Sequence, residues 1–181
     1  EGAGGEGGRA RERPGEPETR ARAIVDTEIG SPDVLPLTGG PGPSAGPGEI
    51  VGRIEAAGVN PSDAKVRGGR RPSPPITEPR PVGFDGAGVV DQVGAGVEGF
   101  AVGDRVAIRD AHGTYASALL VRPENLALLP DSVTAAEGAG IGIPAGTAYQ
   151  VLRSLAVGPD DVLLVHAGSG AAGQAAVQVA A

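Results

Sequence analysis

Asp161-Val162-Leu163-Leu164-Val165-His166-Ala167-Gly168-Ser169-Gly170-Ala171-Ala172-Gly173-Gln174-Ala175-Ala176-Val177-Gln178-Val179-Ala180 is the stretch that decides how the chain is read. Val162 to Val165 is an apolar run of the kind found in parallel strands. A turn with G-x-G-x-x-G spacing and an alanine-rich, helix-compatible segment follow it. The spacing predicts one strand, one turn and one helix. Gly168 would allow a tight turn, Gly170 the approach of a pyrophosphate to the main chain, and Gly173 close contact between helix and strand. Amide N–H groups at the helix start, Ser169 among the turn residues, would then hold the phosphates with the help of the helix dipole. In a chain with 32 glycines among 181 residues the spacing alone says little. Its place between an apolar run and a helix carries the argument.

Composition limits the rest. The chain has no Cys, Met or Trp and only two Phe and two Tyr, so the core must be built from Val, Ile, Leu and Ala, and modest stability is expected. A formal net charge of -7 opposes nonspecific nucleic-acid binding, which needs basic surface. Without cysteine there are no disulfides or thiolate ligands, and His112 and His166 alone form no histidine cluster, so a zinc site is not expected. No apolar stretch has membrane-spanning length, and the glycine- and glutamate-rich start lacks the apolar core of a signal peptide. These features make a cytoplasmic location the default, without membrane partners.

Residues 1–20 mix Gly, Glu, Arg and Pro without apolar periodicity and read as a disordered tail. Ala21 to Asp26 reads as a first strand, followed by a turn at Gly30 to Asp33 and a Gly/Pro loop from Thr38 to Gly48. Ile50, Gly52, Ile54 and Ala56 alternate with Val51, Arg53 and Glu55, which marks a half-buried strand. Asn60-Pro61-Ser62-Asp63 opens a short helix, with Asn60 as cap and Pro61 at its first position. Strands are expected at Gly88–Val93, Arg105–Ile108, from Gly113 to Val121, and at Leu126–Leu129. Short strands with close turns predict a small, curled, mostly antiparallel barrel.

The pattern changes at Thr134-Ala-Ala-Glu137, a capping box. The helix it opens should break near Pro144, and a second should run from about Ala145 to Leu155 with Ala148, Val151, Leu152 and Leu155 on one face. Residues 21–135 therefore read as one β-rich domain, and 136–181 as linker helices with the start of a nucleotide-binding domain.

In this order the segments Arg22 to Val34, Gly58-Val-Asn60-Pro-Ser-Asp63, Gly83-Phe-Asp-Gly-Ala-Gly-Val-Val90, Phe100-Ala-Val-Gly-Asp-Arg-Val106, Gly113-Thr-Tyr-Ala116, Gly146-Thr-Ala-Tyr149 and Asp161 to Gly173 make the chain resemble one family. That family is the zinc-independent, quinone oxidoreductase-like branch of the medium-chain dehydrogenase/reductase superfamily. The resemblance implies a mostly β GroES-like barrel followed by the first βα unit of a truncated α/β Rossmann domain. It also implies NADPH as hydride donor, with quinones, enones or enoyl thioesters as small-molecule substrates. Zinc-dependent relatives place a cysteine and a histidine ligand where this chain has Asn60 and the Phe84-Asp85 pair, which implies metal-free hydride transfer.

Asn60 matches a family asparagine near the nicotinamide ribose and substrate, and is the catalytic candidate; its role as a helix cap is an equally sufficient explanation. Thr147 matches a threonine at the nicotinamide end, against the alternative of a helix residue bonded to its own backbone. Gly168, Ser169, Gly170 and Gly173 are the phosphate-side candidates. Some thioester-reducing relatives use a tyrosine after the Asn60 helix, and here the sequence is Gly68-Gly-Arg70-Arg71-Pro. Arg70 or Arg71 could bind an anionic part of a substrate, but neither would readily act as an acid. Quinone or enone reduction is thereby favoured over thioester reduction. Tyr115 is expected to pack, and His112 and His166 attract no stronger role.

A ribose-binding residue would follow roughly ~20 residues after the glycines, at the end of the next strand. The residues given stop before it, so the 181-residue chain alone is expected to bind NADPH weakly or undetectably. Two readings stay open: part of a full reductase whose intact form could be a homodimer, or a noncatalytic remnant that binds a partner.

Overall fold

The computed structural model describes residues 20–181. The tail expected over 1–20 lies outside the described residues except for Arg20, which opens the first strand.

Strand β1 (Arg20–Asp26) is the middle of a three-stranded sheet, between β2 (Leu37–Pro41) and β4 (Arg80–Pro81). The second sheet has five strands. β3 (Ile50–Gly58) and β5 (Asp85–Val93) are central, with β7 (Ala118–Val121) beyond β3, and β6 (Arg105–Ile108) and β8 (Leu126–Leu128) beyond β5. All pairings are antiparallel. The two sheets meet at a single bridge, Ala23 to Ala116, flanked by bonds from Ile24 N–H to the Tyr115 carbonyl and from Ser117 N–H to the Arg22 carbonyl.

The barrel expectation is corrected: among the described residues the fold is mixed α/β, with two antiparallel sheets and four helices, and neither sheet closes. β7 and β8 are consecutive in sequence yet form opposite edges of the larger sheet. Residues 122–125 link them through a single 3-10 turn at Pro123–Asn125. The Asn125 carbonyl accepts from Arg109 N–H rather than from the opposite edge. Strand pairing also ends early before β7. The expected strand from Gly113 is regular only from Ala118, because Gly113 and Tyr115 donate to the carbonyls of Gly83 and Val82.

The core lies on the larger sheet. Ile50, Val90, Val106, Ile108, Val121 and Leu126 form a buried aliphatic cluster, against which Ile54, Val93 and Phe100 pack. Val51, expected on the outer face, is also buried, and the register slips between Val51 and Gly52, so strict alternation fails there.

Helix α1 (Pro61–Arg67) follows β3, and α2 (Ala135–Ala139) lies across β3, β5 and β6. α2 begins with the expected capping box: Glu137 N–H donates to Thr134 Oγ1 at 3.2 Å, and the Glu137 carboxylate accepts from Thr134 N–H at 2.8 Å. α3 (Gly142–Leu155) starts before Pro144 instead of after it, since a proline in the first helical turn removes no helical hydrogen bond. On its predicted apolar face Ala148 and Leu152 are buried, while Val151 and Leu155 are exposed.

The predicted first βα unit is corrected as well. Its helix is present as α4 (Ala171–Ala180), which packs on α3, but Val162–Val165 forms no strand. A strand exists only through ladder bonds to a neighbour, and none of the described strands pairs with this segment. Val162 and Leu164 accordingly point into solvent.

Candidate active site

Asn60 stands at the junction of β3 and α1, in extended conformation (φ -116°, ψ 153°), where proline follows and the helix begins. Three residues on, the Asp63 carboxylate reaches back, and its Oδ2 accepts from Asn60 N–H at 2.7 Å. The same oxygen accepts from the Tyr115 hydroxyl at 3.0 Å. The Asn60 side chain is directed across the strand ends: its Nδ2 donates to Asp85 Oδ2 at 3.0 Å. Asp85 Oδ2 also accepts from Ile143 N–H, at the start of α3, at 2.8 Å.

Asn60, Asp63 and Asp85 are all buried, the last almost completely. Burial raises the pKa of Asp85; the hydrogen bonds from Ile143 and Asn60 oppose this, and the charges of Asp63 and Asp110 reinforce it. Burial likewise raises that of Tyr115, helped by the Asp63 charge and the hydrogen bond to it, so this phenol is held in its protonated, donating form. The expectation that Tyr115 packs is thus met in part: its ring lies against the Gly83 backbone, but its hydroxyl joins the polar network.

Two cavities border this network, one at Asp63 and one at Asp85. One, of about 240 Å³, is lined by Asp63, Val66, Arg71, Arg80, Phe84 and His112. Its floor holds a fork of two hydrogen bonds from Arg80 to Asp26, Nε to Oδ1 at 2.9 Å and Nη2 to Oδ2 at 2.6 Å. The other, of about 640 Å³, is lined by Asp85, Arg109, Asp110, Ile143, Thr147 and Gln150.

Thr147 lines the larger cavity together with Asp85, the residue that accepts from the Asn60 side chain; Asn60 itself lines neither cavity. Arg71 lines the smaller cavity; Arg70 is exposed and lines neither. Gly168, Ser169, Gly170 and Gly173 border neither cavity.

At the glycine turn the left-handed residue is Ala167 (φ 56°), so the tight turn assigned to Gly168 is made one residue earlier. A Cβ at Gly173 would collide with the Ala167 carbonyl and come within 2.8 Å of Gly168 Cα, so this glycine lets α4 lie close to the turn, not to the strand expected there. Gly170 N–H donates to the Ala167 carbonyl at 3.0 Å, which removes one donor. The N–H groups of Gly168 and Ser169 meet no backbone carbonyl among the described residues, and those of Ala171 and Ala172 lie in the first turn of α4, where none is available within the helix. The turn fits a pyrophosphate on these remaining donors.

Asp85 and Tyr115 are the members of this network whose polar contacts sequence reasoning missed. A signal for Asp85 was present: one carboxylate at the head of the apolar run Asp85–Val93 has to be buried with partners.

A family model, the alcohol dehydrogenase GroES-like domain, matches residues 46–152. The chain belongs to this family. Within it, the chain falls in the zinc-independent, quinone oxidoreductase-like branch of the medium-chain dehydrogenase/reductase superfamily. The quinone oxidoreductase of Sus scrofa is 35% identical over 161 residues, covering 87% of this chain and 49% of the relative. The crystal structure of human synaptic vesicle membrane protein VAT-1 homolog-like protein superimposes with a TM-score of 0.81 at 32% identity, covering 89% of this chain and 52% of that one. A mycobacterial structure complexed with NADPH gives a TM-score of 0.77 at 36% identity, covering 87% of this chain and 48% of that one. This GroES-like chain thus spans about half the length of the curated quinone oxidoreductases it matches. Among its described residues no group of three or more His, Cys, Asp or Glu could hold a metal ion, and no helix is long and apolar enough to cross a membrane.

Proposed function

We propose that the full-length protein reduces quinones or small α,β-unsaturated carbonyl compounds by metal-free transfer of a hydride from NADPH. The observation that carries this reading is that Asp85, which accepts a hydrogen bond from the Asn60 side chain, lines the same cavity as Thr147, one large enough for a nicotinamide ring. The mycobacterial relative's complex with NADPH supports the choice of cofactor.

Residues 21–135 act as the catalytic domain, and 136–181 begin the nucleotide-binding domain. Gly168, Ser169 and the first amides of α4 hold the pyrophosphate, Gly170 and Gly173 shape the turn, and Thr147 and Asn60 orient the nicotinamide end. When bound, the cofactor supplies the hydride. The protein's part is orientation and electrostatics. Asn60 presents its amide to the ribose or the substrate carbonyl, and Arg71 faces an anionic or carbonyl-bearing portion of the substrate from the smaller cavity. Arg70, exposed beside it, is a secondary candidate for the same role. A guanidinium serves as a hydrogen-bond donor and not as an acid, so solvent protonates the product. We place the enzyme in the cytoplasm as a homodimer, which sedimentation of the full-length protein would check.

The test is NADPH-dependent reduction of a simple benzoquinone by the full-length protein, with and without a metal chelator. The reading expects turnover in both. Loss of activity on chelation with recovery on adding zinc would overturn the metal-free mechanism, and absence of quinone and enone reduction would overturn the function.

A further inference from the structure

Asp85 is 1% exposed and makes both of its hydrogen bonds through one oxygen, Oδ2. The other oxygen, Oδ1, is buried without a partner. Gly142 closes over it: a Cβ at that position would collide with Asp85 Oδ1 and come within 2.7 Å of Cγ. The two donors belong to different parts of the fold. Asn60 stands at the N-terminal boundary of α1, while Ile143 lies in the first turn of α3, four residues before Thr147.

We infer that Asp85 is a positioning residue: one acceptor oxygen fixes the orientation of the Asn60 side chain and ties it to the start of the helix that carries Thr147. The inference rests on the reductase reading only for what Asn60 does with a ligand; the clasp itself stands on the geometry.

Sharing one oxygen has a consequence for substitution. An amide oxygen at position 85 can accept both bonds, and its NH2 group replaces an oxygen that has no partner. The clasp therefore needs an acceptor, and a neutral amide oxygen can serve as one. Removing the acceptor leaves two buried N–H donors unpaired, which costs far more than a neutral exchange.

The test uses 15N–1H spectra of the full chain, with the Asn60 side-chain NH2 pair as readout beside thermal unfolding. Asp85→Asn is expected to leave the Asn60 signals near their wild-type positions and Tm within about 2 °C. Asp85→Ala should move both Asn60 signals towards those of a solvent-exposed amide and lower Tm by at least about 4 °C. Gly142→Ala, which does not alter Asn60 or Asp85, should move the same signals by displacing the carboxylate. Unmoved Asn60 signals in Asp85→Ala or in Gly142→Ala would overturn the inference, as would an Asp85→Asn spectrum displaced as far as that of Asp85→Ala. Should Asp85→Ala not fold, the other two variants decide. None of these readouts depends on turnover, so a protein that keeps this pattern but reduces no quinone or enone would refute the reductase reading and leave the clasp intact.

Discussion

The five-stranded sheet and the segment around Val162–Val165 are built from the same residue types and end in opposite states. Ile50 and Val106 are 0% exposed, whereas Leu164 is 77% exposed. The strands around Ile50 find partners through antiparallel pairing, which closes over a direct loop such as residues 94–104 between β5 and β6. A parallel strand needs a neighbour reached only through a crossover. Apolar composition therefore makes Val162–Val165 competent to be a strand without making it one.

The largest effect that sharpens this contrast is expected at Arg80, which ties β4 to β1 through Asp26. Arg80→Leu would leave the buried Asp26 carboxylate unpaired, at a cost of about 3–5 kcal/mol in urea unfolding. A loss below about 1 kcal/mol would show that the small sheet does not depend on the pair. Ile50→Ala removes a fully enclosed side chain and should cost about 2–5 kcal/mol, read the same way.

Asp85 ties the five-stranded sheet to α3, since β5 carries it and α3 donates to it. Burial raises its folded pKa, so its contribution to stability is fully present below the unfolded pKa and is lost as pH rises through the folded value. Asp85→Asn should thus gain on the wild type as pH rises from acidic to neutral, measured by paired urea titrations. The opposite trend would contradict the assigned shift. Thr134→Ala, which removes the α2 cap, should cost about 1 kcal/mol. The smallest effect is expected at Leu164→Ser, within about 0.5 kcal/mol for a side chain that touches no core. A cost comparable to that of Ile50→Ala would break the contrast outright.

These magnitudes follow what local sequence could and could not show. β1, β3, β5, β6 and β8 were legible because alternation and turn residues act over a few positions, as were the Asn60 and Thr134 helix starts. Closure of the sheet was not legible, because whether β7 meets β8 depends on the path of residues 122–125 and on Arg109 capturing the Asn125 carbonyl. At the site, Asn60 and Thr147 entered through resemblance to a family. Asp85 escaped notice because its partners lie 25 and 58 positions away in the chain. Arg70 and Arg71 are adjacent in sequence, and only the fold separates one that lines a cavity from one that does not.

The measurement that tests the account most directly is an NADPH titration of the full-length protein followed through its backbone amide resonances. The account predicts that the amides of Gly168, Ser169, Ala171 and Ala172 shift on saturation, together with the Asn60 side chain and Thr147. Saturable NADPH binding that leaves the Gly168–Gly173 turn unchanged would contradict it.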